Sequence, residues 1–243
     1  MKPVNVVRAA RRFLRKRGYD FVRYEPNTHA LARLARLLRA YDIGVVLDVG
    51  ANIGQYGMQL RDIGYTGRIV SFEPVRAAYR QLSEVARTDG AWTAINCALG
   101  DFDGRTEIHV AGNSQSSSVF PMLPAHLKSE PASQYVGSEE IEVRRLDSCF
   151  HDLCSDTDNV LLKIDTQGFE KRVLEGAGQS LMAIRTIQLE MSLVPLYDGE
   201  ALFDEMYRLV QSKGFHIVSI ESNFADKHTG QLLQFDAIFH RSQ

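Results

Sequence analysis

The sequence predicts an α/β fold, a Rossmann-like doubly wound sheet of seven strands with an antiparallel strand at one edge. Three observations predict it. Short apolar, β-branched runs alternate with segments of helical period, the pattern of a parallel sheet with helices on both faces. The run VVLDVGANIGQYG (45–57) joins a strand to a helix through glycines 50, 54 and 57. The last two strand-like runs, FHIVSIES and LQFDAIFH, are separated only by the loop NFADKHTGQ, so they pair antiparallel.

The elements follow in order. Apolar residues at 6, 7, 10, 13 and 14 place a basic amphipathic helix over about 5–17. A second helix starts near Asn27 or Thr28 as cap, with Leu31, Leu34, Ala35 and Leu38 as its stripe. Residues 1–40 form a basic helical extension and 41–243 the main domain. In the latter, a strand at 44–49 precedes a helix at 53–62, and a strand at 68–72 precedes a helix at 75–88. A strand at 92–98 is expected to turn at Asp103-Gly104 and pair as a hairpin with RTEIHVA. NVLLKID ends at Asp165 and leads into a helix over 169–182. TIQLEMS is the next strand, and LFDEMYRLVQSKG a helix stopped by Gly214. Between RTEIHVA and NVLLKID, residues 112–140 carry three prolines and seven serines and read as a lid insertion.

Composition narrows the class. The chain has 243 residues, 44% hydrophobic and 24% charged, as in ordinary globular proteins. No apolar run approaches the roughly 20 residues of a membrane span. The first residues lack the apolar core of a secretory signal. Three cysteines, Cys97, Cys149 and Cys154, lack C-x-x-C spacing, which argues against a disulfide framework or zinc cluster and fits the reducing cytoplasm. The net charge is −2, but residues 1–40 carry eleven Lys/Arg against Asp20 and Glu25, leaving −11 for the remainder. Such asymmetry marks a basic docking surface.

The glycine turn needs a ligand that suits it. Ligands of an open parallel sheet bind beyond the carboxyl ends of the strands, where strand order reverses. Asp48, Glu73, Asn96, Asp165 and Glu190 lie at five such ends. Gly50 and Gly54 let backbone pass close to a ligand, and the helix after them offers free N–H groups. The spacing is D-x-G-x-x-x-G, and no lysine completes a phosphate loop. An acid in the turn disfavours phosphate and suits a cation, and Glu73 is placed to accept two ribose hydroxyls. A ribose with a positive charge and no phosphate describes S-adenosylmethionine.

LDVGANIGQYG, SFEP, NCALGD, RRLDS and KIDTQGFEKRVLEGAG resemble, in the same order, the FkbM-type S-adenosylmethionine-dependent methyltransferases of class I. The resemblance covers roughly residues 44–220 and is most specific from Lys163 to Ala177. It departs at Gln167, where the family has Glu, which bears on any metal role of that position. It implies a class I methyltransferase fold and cofactor contacts from Asp48, Gly50, Ala51, Asn52, Gly54, Tyr56, Glu73, Pro74, Asn96, Ala98 and Asp165. It also implies methyl transfer to a hydroxyl, as in actinobacterial sugar O-methyltransferases. The acceptor class is then a small molecule, a deoxysugar of a glycolipid or a glycosylated natural product.

Transfer to a hydroxyl needs positioning and a base. Asp165 and Glu190 are the base candidates. The competing readings are a helix N-cap for Asp165 and an ion pair with Lys163 for Glu190. His126 and His228 are loop residues that could swing in. A divalent cation between Asp165 and Glu190 has no ligand-spaced His/Cys/Asp cluster to support it. Ser117, with the other polar lid residues, suits a polyol, and Phe120 and Tyr135 suit a sugar face, against the alternative of a flexible surface loop. The basic helix could touch an anionic membrane or cover the sheet with its arginines solvated. Nucleic acid is disfavoured because the basic stretch lacks interleaved aromatics. Two rivals stand beside the methyltransferase: a nicotinamide-dependent oxidoreductase, and a non-catalytic S-adenosylmethionine-binding module.

Overall fold

The computed structural model describes residues 3–242. Seven strands form the main sheet: β1 (Val45–Val49), β2 (Arg68–Phe72), β3 (Trp92–Ile95), β7 (Val160–Ile164), β8 (Thr186–Ser192), β9 (His216–Ala225) and β10 (Leu232–His240). Their order is β3-β2-β1-β7-β8-β10-β9. β1, β2, β3, β7 and β8 run parallel, and β10 pairs antiparallel with both β8 and β9. The antiparallel strand is therefore one in from the edge. The chain winds outward from β1 to β3, then returns to β7 on the other side of β1. Strand order reverses between β1 and β7, and this is where an α/β sheet opens its crevice.

The central strands are apolar because both faces are covered. All five residues of VVLDV are buried, as are all five of VLLKI and all seven of TIQLEMS. Each fully buried Leu or Val contributes roughly 1.5–3 kcal/mol relative to exposure. On one side, α2 (Ala30–Ala40) buries Ala32, Leu34, Ala35 and Leu38 toward the cluster containing Val46, Leu60 and Trp92. On the other, α6 (Leu146–Leu153) and α8 (Phe203–Ser212) supply Phe150, Met206 and Val210 to a cluster with Leu47, Leu162 and Leu189. α3 (Gln55–Asp62), α4 (Arg76–Ala86) and α7 (Glu170–Glu175) follow β1, β2 and β7.

Several expected boundaries move. RTEIHVA, within β5 (Gly104–Ala111), does not pair with the strand at 92–95. It pairs antiparallel with β6 (Tyr135–Arg144), and the short β4 (Ala98–Leu99) joins β6 in a second, three-stranded sheet. Ile108, Ile141 and Val143 bury this sheet against Val75 and Ala78 of the main body. Residues 135–140, placed at the end of the lid insertion, thus belong to β6, because their β5 partners fix them. The rest of that segment holds α5 (Pro124–Ser129). α3 starts at Gln55 rather than residue 53, since Asn52 and Gly54 both have positive φ, incompatible with a helical turn. α2 begins at Ala30, with His29 rather than Asn27 or Thr28 at the cap position. The helix expected over 169–182 splits into α7 and a 3₁₀ turn at Ser180–Met182.

The N-terminal helix α1 (Pro3–Arg15) does not bury the apolar face described for it. Val7 and Phe13 are 66% and 54% exposed. No helix among the described residues is long and apolar enough to cross a membrane.

Candidate active site

The β1 and β7 turns touch. Gly50, at φ +78, lies so close to the next turn that a Cβ there would stand 1.8 Å from the Asp165 carbonyl oxygen. Glycine is required at 50 by the neighbouring turn as much as by any ligand. Gly54 faces Leu82 and Trp92 and is a packing residue.

Beneath this contact sits Lys163, only 6% exposed. Its Nζ lies 3.2 Å from Asp48 Oδ1 and 3.4 Å from Asp165 Oδ2, and donates to the Gly50 carbonyl at 3.4 Å. The Tyr56 ring covers it at 5.3 Å, and Tyr56 Oη donates to Gln188 at 2.7 Å. Burial opposes the ammonium charge, but the carboxylates of Asp165 and Asp48 hold its pKa above the usual lysine value. Two expectations change here. Asp48 is fully buried, bonded by Ser71 Oγ at 3.1 Å and paired to Lys163, so its charge is met from within. Lys163 pairs with Asp48 and Asp165, not with Glu190.

Asp165 and Glu190 are brought together by Gln167. Its Nε2 donates to Asp165 Oδ1 and Glu190 Oε2, both at 2.8 Å. The amide is itself held by Tyr197, whose hydroxyl donates to Gln167 Oε1 at 2.6 Å. Ser118 Oγ donates to the Gln167 carbonyl at 2.6 Å. Gln167 and Gly168 take successive positive φ values, +56 and +98. Glu170 fixes this turn by accepting from the Thr166 and Gly168 backbone N–H groups. Asp165 is therefore not the cap of α7, whose cap position is Phe169. The space between the two carboxylates, where a bridging cation would sit, is filled by the Gln167 amide. No cluster of three His, Cys, Asp or Glu with metal-binding geometry occurs among the described residues.

Glu190 receives two further amides: Asn223 Nδ2 at 2.8 Å and Gln234 Nε2 at 3.0 Å. Burial, followed by the nearby charges of Asp165, Glu170 and Asp236, raises its carboxyl pKa well above the ordinary value. Asp236 is the cross-strand partner of both Glu190 and Glu221. Burial and Asp165 push its pKa up to about 7.

Two cavities meet at this cluster. The larger, about 460 Å³, opens over β7, β8, β10 and β9, with Tyr56, Gln188, Asn223 and Asp236 among its walls and Ala51 at its β1 end. The smaller, about 50 Å³, lies over the ends of β1 and β2, between Glu73, Pro74, Ala98 and the lid residue Ser117. Gly50, Asn52, Gln115, Asp165 and Gln167 line both. The smaller cavity has apolar walls from Val75, Ile108, Val119 and Phe169, with the Glu73 carboxylate beside them. Apolar faces beside the Glu73 carboxylate fit a nucleoside base and its ribose, with Asp165 at the border to the larger cavity, so the residues suit S-adenosylmethionine. Glu73 accepts from the backbone N–H of Asn52 at 2.7 Å and Val75 at 2.8 Å, and burial raises its pKa to about 7. A lid turn closes this cavity: Asn52 Nδ2 donates to Ser114 Oγ at 3.1 Å.

The remaining expected residues are placed less directly. Asn96 is exposed and ties strand ends together, donating to the carbonyls of Glu73 and Pro74. Phe120 packs edge-on against Phe169, and Tyr135 stacks on His109 and donates to the Phe120 carbonyl. Both rings brace the lid and line none of the cavities described. His228 is exposed in its loop. His126 is 3% exposed, packed between Tyr197 and Phe224, with burial lowering its pKa to about 4. It is not a solvated loop histidine. Gln115, Tyr197, Asn223, Gln234 and Asp236 escape the sequence reading. Only Asp236, a charge inside an otherwise apolar strand, leaves a sequence signal.

Comparisons with known proteins give the family. The Methyltransferase FkbM domain model matches residues 48–217. The 2-O-methyltransferase NoeI of Sinorhizobium fredii is 27% identical over 166 residues, covering 64% of this chain and 66% of that protein. The chain thus spans just under two thirds of that relative's length. Methyltransferase sdnD of Sordaria araneosa is 22% identical over 202 residues, covering 74% and 76%. Among solved structures, Aeropyrum pernix fibrillarin with natively bound S-adenosyl-L-methionine aligns with a TM-score of 0.47 at 12% identity, over 85% of this chain and 73% of that one. Matched by the family model from Asp48 across most of its length, the chain belongs to the FkbM family of S-adenosylmethionine-dependent methyltransferases.

Proposed function

We propose that the protein transfers a methyl group to a hydroxyl of a sugar, with Glu190 as the base, and that the sugar is carried on a lipid or other glycosylated natural product. The observation that carries the reading is the bridging of Asp165 and Glu190 by Gln167 on the boundary between the two cavities. The small cavity would hold the nucleoside end of the donor, with Glu73 toward its ribose. The large cavity, walled by hydroxyls, amides and carboxylates, would hold the acceptor. Similarity to a protein named a 2-O-methyltransferase supports oxygen as the acceptor atom.

The bound donor supplies a sulfonium methyl, which passes to the acceptor oxygen as the S–C bond breaks and the O–C bond forms. The hydroxyl proton goes to Glu190. Burial raises its pKa, which makes it a stronger base than an ordinary carboxylate, and the amides of Gln167, Asn223 and Gln234 aim it. Asp165 is engaged instead by the Lys163 ammonium, 3.4 Å away and shared with Asp48. Its carboxylate contributes negative charge beside the donor. Incubation with methyl-labelled donor and a lipid extract of the source organism tests the reading. Label on a sugar ether is the expected result. Tight binding of NAD with none of S-adenosylmethionine, measured by titration calorimetry, would instead favour a nicotinamide-dependent oxidoreductase.

A second observation bears on the lipid. Contrary to the expectation of a basic stretch without aromatics, Phe13, Tyr19, Phe21 and Tyr24 are 54–71% exposed within the same basic stretch, with Arg17 over the Phe13 ring. Exposed aromatics among basic residues suit the headgroup region of an anionic bilayer. The test is sedimentation with phosphatidylglycerol vesicles of the full chain and of a variant lacking residues 1–24. Loss of binding on deletion is expected, and equal sedimentation of the two would remove the membrane from the proposal.

A further inference from the structure

A third cavity, about 380 Å³, lies behind the Gln167–Glu190 pair, between the lid, α5 and the ends of β9 and β10. It shares Gln115, Gln167, Glu190 and Asn223 with the large cavity, so the two adjoin across these side chains. The proposed reaction leaves it unused.

Its chemistry is distinct. His126 lines it and is 3% exposed; its Nδ1 is sealed from the cavity and has no hydrogen-bond partner among the described residues, so the ring meets a ligand through its other nitrogen. Around it stand the side chains of Asn113, Ser116 and Gln234, groups that both donate and accept, and the partly exposed Phe224 ring. Glu130, which also lines the cavity, is paired with Lys227 at 2.8 Å. No cation free of a carboxylate partner lines the cavity, so an anion is not catered for. Amides and hydroxyls that donate and accept, beside one aromatic face, match a neutral ring that carries hydroxyls on its edge and C–H groups on its faces.

We propose that this cavity is a second acceptor subsite, which holds the neutral sugar ring adjoining the one that is methylated, with His126 bonding its hydroxyls and Phe224 supporting its face. The proposal rests on the sugar-hydroxyl reading above and sharpens it: the acceptor is a glycoside of at least two rings. The methylated ring occupies the large cavity beside Glu190, and its neighbour passes beneath the lid across Gln167. Near neutral pH the imidazole stays uncharged, as a hydroxyl-bonding group should.

The test is binding to an array of neutral mono-, di- and trisaccharides, with the protein saturated in S-adenosylhomocysteine. The expected result is retention of one or more di- or trisaccharides and none of their component monosaccharides. His126→Ala and Phe224→Ala should each weaken that retention by roughly tenfold, about the loss of one hydrogen bond or ring contact. S-adenosylhomocysteine affinity should be unchanged in both. The partly exposed position of Phe224 keeps the test valid if His126→Ala fails to fold. Equal retention of a monosaccharide and its disaccharide, or retention indifferent to both substitutions, overturns the subsite and leaves the sugar reading intact. Retention of no saccharide of any length, with S-adenosylhomocysteine still bound, overturns both.

Discussion

Lys163 Nζ lies 3.2 Å from Asp48 Oδ1, so the acid that opens the glycine turn is neutralised by a lysine on the adjacent strand. The pair is buried beneath both strand ends, and removing one partner strands the other. Lys163→Met should therefore lose roughly 3–5 kcal/mol of stability, a fall in Tm of roughly 6–15 °C, read by scanning calorimetry. A shift under about 2 °C would mean that the pair carries little of the turn's stability.

Gly50 meets the Asp165 carbonyl too closely for any side chain, and its φ of +78 already disfavours one. Gly50→Ala must push the β1 and β7 turns apart. We expect a folded but less stable protein, with S-adenosylmethionine affinity reduced by at least roughly tenfold in calorimetric titration. Wild-type affinity in this variant would show that the contact does not shape the donor site.

If Glu190 takes the hydroxyl proton, Glu190→Gln should lower the transfer rate by about 10²–10⁴-fold and leave donor affinity nearly unchanged. Asp165→Asn should weaken donor binding as well. In the wild type, the rate should climb with pH as the Glu190 carboxyl ionises. That rise should fall above the ordinary carboxylate range, because burial raises this group. A rate flat from pH 5 to 9 in single-turnover assays with a chemistry-limited step would exclude Glu190 as the base.

Burial, first, pushes the Asp236 carboxyl up to about 7, against 3.8 for an ordinary aspartate. A raised carboxyl pKa means that the folded state binds the proton more tightly. Its relative stability is then highest at low pH and is lost as pH climbs from about 4 to about 7. Asp236→Asn should remove that penalty and raise Tm at pH 8 by several degrees, with a clearly smaller rise at pH 5, where only part of the penalty is present. An equal change at both pH values would point to packing rather than charge.

The sheet was readable because strand periodicity, glycine turns and the absence of a helix before LQFDAIFH are local properties. The pairing of RTEIHVA was not. The turn at Asp103-Gly104 suggests a hairpin with the preceding run, but the partner is β6, which begins at Tyr135, 24 residues after the run ends at Ala111. Asp165 and Glu190 were legible as strand-end acids. Their connection was not, because Gln167 takes a left-handed conformation that a sequence pattern does not reveal. The burial of His126 depends on Tyr197 and Phe224 from distant segments, so as a sequence position it looked solvated.

The Asn52–Ser114 bond and the position of Gln115 in all three cavities give the lid turn a kinetic meaning. The same short segment that borders the proposed nucleoside cavity also forms a wall of the proposed acceptor cavity. If that wall opens to admit the donor, the two ligands do not enter at random. The donor should come first and the demethylated donor leave last, so S-adenosylhomocysteine should compete with the donor and act noncompetitively toward the acceptor. An enzyme of this kind is throttled by its own spent donor, and its turnover in the cell is then tied to how fast that product is cleared.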